Sequence, residues 1–478
     1  MKKILFIGSE AMPFAATGGL GDVLGSLPAA IVEAAKGEAD VRVVIPLYSS
    51  IKDEYRSKMK EEYVFTVNLS WRNLYCRVMS LVKDNVTYYF IDNEYYFKRD
   101  SLYGSFDDGE RFAYFSMSAL SMLQYINFIP DIIHAHDWQS ALSVIYLKTL
   151  FSWDERYRRI KAIFTIHNIE YQGKYDFAIL GDVFALEGIH RPLVEYEGCI
   201  NLMKGAVECA DIVSTVSPRY AEEIRTPAYS SGLDPILVRN AGKLRGILNG
   251  IDYNYYNPET DKTIAKCFSA NNISDKYKNK LALQAELALP KSEDVPMISI
   301  ITRLASHKGI DIISEIIYKL VSESDVQLII LGMGDPKYEA FFRELEYNFP
   351  NKVRAMIMYD RDLSKRIYAS SDIFLMPSKS EPCGLAQMIA SRYGTIPVTR
   401  ETGGLYDSIK GYWLDGDTIR GNGFTFANYS SAELLDRIYA ALELYHNKER
   451  RLALIEKIMN TDFSWNGSAN NYLQMYDL

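Results

Sequence analysis

Short apolar, β-branched runs recur along the chain: KKILFIG (2–8), VRVVIPLY (41–48), TYYFID (87–92), DIIHAHDW (131–138), KAIFTIHN (161–168) and DIVSTVS (211–217). Hydrophobicity in them is continuous rather than alternating, which is the pattern of strands covered on both faces by helices. Segments 20–35, 110–125 and 138–150 carry the helical period, so the order is βαβ and the sheet is parallel. A second series follows: MISIITRL (297–304), VQLIILGMG (326–334), VRAMIMYD (353–360), DIFLMPS (372–378), TIPVTRE (395–401) and GFTFAN (423–428). Helical segments 309–322, 336–347, 363–370 and 385–392 alternate with these strands. The pattern predicts two tandem α/β domains, each a doubly wound parallel sheet. Their boundary is expected near ILNGIDY (247–253), where Asn249-Gly250 is a strong turn signal, with a lysine-rich helix leading into the second domain before Ser292.

Composition narrows the class. At 478 residues the chain exceeds what one core serves, and two domains of about 200 to 250 residues are expected. A net charge of −8 argues against a nucleic-acid partner, because neutralising phosphates calls for a basic excess. Five scattered cysteines, with no C-x-x-C pair, suggest neither a disulfide framework nor a zinc site and fit a reducing cytoplasm. The apolar run after Met1-Lys2-Lys3 is too short for a secretory signal and reads as a buried first strand. No apolar run of about 18 residues exists, so no membrane partner is expected.

The tetrapeptide TGGL occurs at Thr17–Leu20 and again at Thr402–Leu405, each time between an apolar strand and a helix start. In open parallel sheets the ligand crevice lies beyond the carboxyl ends of strands, where glycine-rich turns let backbone N–H groups approach an anion. Each copy is also readable as a tight turn alone. Neither copy matches G-x-G-x-x-G, and no G-x-x-x-x-G-K-[ST] loop is present, so NAD-type and P-loop readings are weak.

Polar candidates gather at the same strand ends. HAHDW holds His134, His136 and Asp137, and TIHNIEYQG holds His167, Asn168 and Gln172. His134 and His136 share a strand face, but no third ligand is evident, so each reads as a hydrogen-bonded structural histidine and no metal is assigned. Arg303 and Lys308 in TRLASHKG pair a fork-shaped guanidinium with a point-charge ammonium, which suits a diphosphate leaving group gaining charge. Glu381 in SEPCG can bind hydroxyls or polarise a sugar, while Cys383 reads as a packing residue.

Together, SEAMPFAATGGLGDVLGSLP, HAHDWQS, TIHNIEYQG, LNGID, TRLASHKG, SKSEPCGLAQ, RETGGLYDS and DFSWNGSANNY resemble, in order and over the whole chain, the glycogen and starch synthases of bacteria and plants. The resemblance implies the GT-B arrangement: two Rossmann-like domains (1–246 and 247–460) facing across a cleft, and a closing helix (461–478) returning to the first. It implies transfer of glucose from ADP-glucose or UDP-glucose to the non-reducing end of an α-1,4-glucan, with retention of configuration and no metal or other cofactor. By position, Arg303 and Lys308 resemble the pair that holds the donor diphosphate. Glu381 resembles the acid contacting the glucosyl unit, and Cys383, Gly384 and Leu385 lie on the nucleotide side. His167 resembles the histidine beside the sugar's primary hydroxyl, Asp137 the carboxylate of HDW, and Tyr359 the aromatic under the base. Thr402, Gly403 and Gly404 would offer backbone amides to the distal phosphate, with Ala16, Thr17, Gly18 and Gly19 opposite. Tyr95, Tyr96 and Tyr103, in a stretch read as a loop, are candidates for the acceptor surface, because tyrosines stack on sugar faces.

One position departs from the family, which writes K-T-G-G-L where this chain has Ala16. A lost charge-assisted contact is worth roughly 1.5–3 kcal/mol. A compensating cation, a weakened enzyme and an engineered substitution are the three explanations. The alternative function is a catalytically weak or silent α-glucan-binding relative. Retention is open to a covalent glycosyl-enzyme or to front-face attack; the family resemblance implies the second, and no Asp or Glu stands out as a dedicated nucleophile.

Overall fold

A computed structural model describes residues 1–477. The chain divides into two compact units, residues 1–249 with 465–478, and residues 250–464.

Unit 1 is built on nine strands: β1 Lys2–Ile7, β2 Ala39–Pro46, β3 Lys60–Leu69, β4 Arg72–Lys83, β5 Val86–Asp92, β6 Ile132–His136, β7 Lys161–Ile166, β8 Ile212–Thr215 and β9 Leu244–Gly246. Their order across the sheet is β9-β8-β7-β6-β1-β2-β5-β4-β3. Pairing is parallel from β9 to β5 and antiparallel for β5-β4-β3. Ile4, Leu5, Phe6 and Ile7 are all 0% exposed, which is why β1 reads as an unbroken apolar run. The hairpin β3-β4 departs from the expected pattern. It sits at the edge with one face in water, so Phe65, Val67 and Leu69 alternate with exposed residues and no continuous run marks it.

The order reverses between β1 and β6, which places the crevice of this sheet at the carboxyl ends of those two strands. Helix Gly19–Ala34 follows β1, and helix Trp138–Lys148 follows β6. The closing helix Trp465–Met475 belongs to this unit and packs on Gly19–Ala34, burying Tyr472 and Tyr476 at 0% exposure. The stretch expected as a loop at 91–104 contains one helical turn, Glu94–Phe97.

Unit 2 carries six parallel strands: β10 Met297–Ile301, β11 Gln327–Leu331, β12 Val353–Met356, β13 Ile373–Met376, β14 Ile396–Arg400 and β15 Phe424–Phe426. The order is β12-β11-β10-β13-β14-β15, so the reversal lies between β10 and β13. Helix Ile310–Glu323 shows why the apolar period was legible: Ile310, Ile313, Ile317, Leu320 and Val321 line one buried stripe. Asp335 and Asp360 cap the helices Pro336–Asn348 and Arg361–Ser370, accepting from the N–H of Lys337 and Leu363 at 3.0 and 2.8 Å.

The lysine-rich helix Ser274–Glu286 is buried rather than solvated at two of its lysines. Lys280 and Asp372 are both buried, and Nζ donates to Oδ2 at 2.7 Å, to the Glu293 carbonyl at 2.9 Å and to the Tyr445 hydroxyl at 3.1 Å. Desolvation pushes the Lys276 ammonium down to about 7, while it hydrogen-bonds the carbonyls of Tyr368, Ala369 and Tyr393 and the Thr395 hydroxyl.

Candidate functional site

In unit 1 the carboxyl ends of β1, β6 and β7 gather a polar group. Ser9 and Glu10, two and three residues beyond the end of β1, are 0% and 3% exposed. Glu10 Oε2 accepts from the Thr17 amide at 2.5 Å and from its hydroxyl at 3.0 Å, fixing the turn that opens helix Gly19–Ala34. Desolvation pushes its carboxyl up to about 7 against the pull of those bonds, with the charge of Asp22 adding to the rise. The motif reading passed over Glu10, whose signal was an acid placed directly after a buried strand.

Asp137 takes φ 57°, a left-handed backbone that turns the chain sharply from β6 into the next helix. Its Oδ1 accepts from the amides of His167 and Asn168 at 2.7 and 3.4 Å, tying the end of β6 to that of β7. Burial pushes this carboxyl up to about 7 and the His167 imidazole down to about 3. His167 is thus neutral at ordinary pH. His134 hydrogen-bonds the Tyr476 and Thr165 hydroxyls, a structural role.

The first TGGL turn is open. Thr17, Gly18 and Gly19 are exposed, and a Cβ added at either glycine would meet nothing within 4 Å. Ala16 lies over the helix start, where a Cβ on Gly21 would fall 2.3 Å from its methyl.

In unit 2 the reversal point between β10 and β13 carries the other candidates. Lys308 Nζ donates to Glu381 Oε2 at 2.7 Å, and the Ser378 hydroxyl donates to the same oxygen at 3.0 Å. The loops that hold them are locked together. The Lys379 amide donates to the His307 carbonyl at 2.9 Å, and Gly309, at φ 81°, passes so close to β13's exit that a Cβ would lie 2.3 Å from the Pro377 oxygen. Arg303 is exposed, and its guanidinium makes no hydrogen bond or ion pair among the described residues, leaving its five donors for a ligand. Tyr359, 77% exposed just beyond β12, presents its ring to solvent.

The second TGGL turn differs from the first. Thr402, Gly403 and Gly404 are buried, and the Gly404 amide donates to the Glu381 and Pro382 carbonyls at 3.1 and 3.2 Å. Gly403, at φ 44°, would put a Cβ 1.9 Å from the Glu381 oxygen. This corrects the expectation that Thr402, Gly403 and Gly404 all present free amides. Those of Thr402 and Gly404 are already engaged, the first by the Arg400 carbonyl at 3.0 Å, and the second because the turn packs on the SEPCGL loop and shapes it. Cys383 is 6% exposed, Gly384 takes φ 72°, and Leu385 is the N-cap of the helix Ala386–Arg392.

The tyrosines of 91–104 separate. Tyr95 is 71% exposed. Tyr96 is a correction: it is 1% exposed, stacked on Tyr114 with its hydroxyl donating to Glu110, and belongs to the core. Tyr103 turns inward to share a hydrogen bond with Ser9 at 2.7 Å. An open groove lined by Trp138, Tyr171, Gln172, Lys174, Tyr175 and Ser231 runs beside Asp137's helix and offers the aromatic surface that Tyr96 does not. Among the described residues no group of three or more His, Cys, Asp or Glu is placed to hold a metal ion, and no helix is long and apolar enough to cross a membrane.

Residues 3–239 match the family described as the starch synthase catalytic domain, and residues 285–460 match group 1 of the glycosyl transferases. The glycogen synthase of Clostridium botulinum (strain Eklund 17B / Type B) is 46% identical over 482 residues, covering 99% of this chain and 98% of the relative. That of Clostridium perfringens (strain 13 / Type A) is 47% identical over 477 residues, with the same coverage. The catalytic domain of starch synthase IV from Arabidopsis thaliana, bound to ADP and acarbose, aligns with a TM-score of 0.91 at 35% identity over 100% of this chain and 99% of its own. The fold class is GT-B, as expected from the sequence. Both sheets, both sets of strand-end residues and identity over the full length lead to one assignment: the chain belongs to the glycogen synthase family of glycosyltransferases.

Proposed function

We propose that this chain extends α-1,4-glucan in the cytoplasm by transferring glucose from ADP-glucose to a non-reducing end, with retention of configuration and without a metal. The observation that carries the reading is the Lys308–Glu381 pair at the reversal point of unit 2, with Arg303 unengaged in the same loop as Lys308. Two cations at that place suit the diphosphate whose charge grows as the glycosyl bond breaks. ADP in the starch synthase IV structure supports the adenine donor. Tyr359 would stack on the base, His167 and Asp137 would meet the sugar, and the groove at Trp138 and Tyr171 would take the glucan. Identity of 46% along the whole chain does not favour a silent glucan-binding relative, in spite of Ala16.

Retention proceeds by front-face attack in this reading. The bond from the anomeric carbon to the diphosphate breaks, the acceptor oxygen bonds to the same face, and the acceptor's proton passes to the departing phosphate oxygen. Glu381 supports it: the carboxylate is already held by Lys308 and Ser378 and is 6% exposed, a poor nucleophile. A glucosyl adduct trapped on Glu381 or Asp137 would exclude the scheme.

The test is incorporation of labelled glucose into glycogen from ADP-glucose and, separately, UDP-glucose, for this chain and for Ala16→Lys. Incorporation from ADP-glucose that persists in excess EDTA is the expected result. Glucan binding without turnover in both proteins would overturn the reading. Turnover in Ala16→Lys alone would make position 16 the missing phosphate contact.

A further inference from the structure

His136 is buried in unit 1 and has one hydrogen bond to its ring. Its Nδ1 lies 2.9 Å from Nε2 of His167, while its own Nε2 is buried and meets no partner. The ring lies against Phe6, with centroids 5.3 Å apart at 16°, and against His134, 4.3 Å apart at 28°. In these surroundings desolvation, with His134 and His167 adding to it, holds the imidazole far below its ordinary pKa. Both His136 and His167 are therefore neutral, with one ring proton each.

A single N–H can fill the 2.9 Å gap, and two arrangements are possible. If His167 Nε2 donates, the only proton of His136 must sit on its Nε2, as a buried N–H with no acceptor. If His136 Nδ1 donates, that Nε2 is left as a bare lone pair. A buried donor without a partner is the rarer defect in folded proteins, so the second arrangement is favoured. The proton of His167 then resides on Nδ1, which bonds no protein atom among the described residues.

We propose that His136 is a positioning residue that fixes His167 as its Nδ1–H tautomer, so that His167 offers a bound ligand a hydrogen-bond donor and not a base. The consequence for transfer rests on the reading of His167 as a sugar contact: the donor would meet a lone pair of a sugar oxygen, and His167 would take no proton through Nε2. This places a specificity element one layer behind the sugar, on β6.

The tautomer is readable directly. In the full chain labelled with 15N-histidine, with His167 assigned through its loss in His167→Ala, the expected spectrum has Nδ1 protonated and Nε2 bare. A proton on Nε2 overturns the proposal. His136→Leu removes the donor and is expected to leave His167 in mixed tautomers, with turnover down by about 10- to 100-fold, as for other residues that orient a reacting group. His136→Asn places a side-chain amide near the position of Nδ1 and is expected to restore both the Nδ1–H tautomer and most of the turnover. His136→Asp, whose carboxylate can only accept once ionised, is expected to move the proton to Nε2 at a pH high enough to ionise it, and this comparison decides the matter if the leucine variant does not fold. An unchanged His167 tautomer in folded His136→Leu or His136→Asp overturns the proposal. Because the spectrum needs no turnover, failure of glucosyl transfer would strike the functional reading and leave the tautomer assignment standing.

Discussion

At the residue scale the candidates differ in how their chemistry is held. Lys308 is anchored by Glu381, so its ammonium is fixed before any ligand arrives. Lys308→Ala is expected to lower kcat by roughly 100- to 1000-fold, the loss typical of a group stabilising charge in the transition state. Lys308→Arg should not restore it, because a planar fork cannot replace a point charge at this position. Initial rates with saturating ADP-glucose check both. Glu10 makes a prediction about stability. Its carboxyl moves from 4.5 to about 7 on folding, so the native state binds that proton more tightly than the unfolded chain. The resulting stability is full below pH 4.5 and is lost as pH rises through 7. Glu10→Gln keeps an acceptor for the Thr17 amide and removes the titration. Its unfolding free energy should gain on the parent by roughly 3 kcal/mol between pH 4.5 and pH 8. Urea midpoints at the two pH values measure this, and a gap that does not widen would refute it. That Arg303, Lys308, Glu381, Asp137 and His167 lie beyond strand ends was legible in the motif spacing. Glu10 was not, since its importance comes from burial, which a single acidic letter does not announce.

At the element scale the strands buried on both faces were readable and the hairpin β3-β4 was not. Continuous apolar runs need two covers, and an edge hairpin has one. Helix Ser274–Glu286 was expected from its lysine-rich stretch, but composition does not announce that Lys276 and Lys280 are 1% and 0% exposed. The Lys280–Asp372 pair ties this helix to the first residues of β10 and β13, since Asp372 Oδ2 also accepts from the Met297 amide at 2.8 Å. Lys280→Ala leaves that carboxylate buried without its cation and is expected to destabilise unit 2 by roughly 3–5 kcal/mol. Thermal unfolding followed by calorimetry is the measurement, and a shift no larger than that of an exposed lysine such as Lys278 would count against the role. The two TGGL turns teach a related lesson. Identical letters serve packing in one unit and leave open space in the other, a difference set by neighbours far away in sequence.

At the scale of the whole molecule, two tandem parallel sheets were expected; that of unit 2 is parallel throughout, and that of unit 1 carries an added antiparallel hairpin at its edge. Stopping the chain after Ser464 leaves every strand of both units in place but removes the cover of helix Gly19–Ala34 and the bond from Tyr476 to His134. Losing a buried aromatic costs roughly 3–5 kcal/mol, and Tyr472 and Tyr476 are two. The transition belonging to unit 1 is expected to fall sharply while that of unit 2 holds, as resolved by calorimetry. The closing helix also sets a sequence of events. Residues 1–249 leave the ribosome first, yet their core lacks Tyr472 and Tyr476 until all 215 residues of 250–464 have followed. Domains usually mature in the order they are made. Here the first-synthesised unit is the last to be finished, and throughout that interval its uncovered helix is the surface on which a nascent chain would meet chaperones.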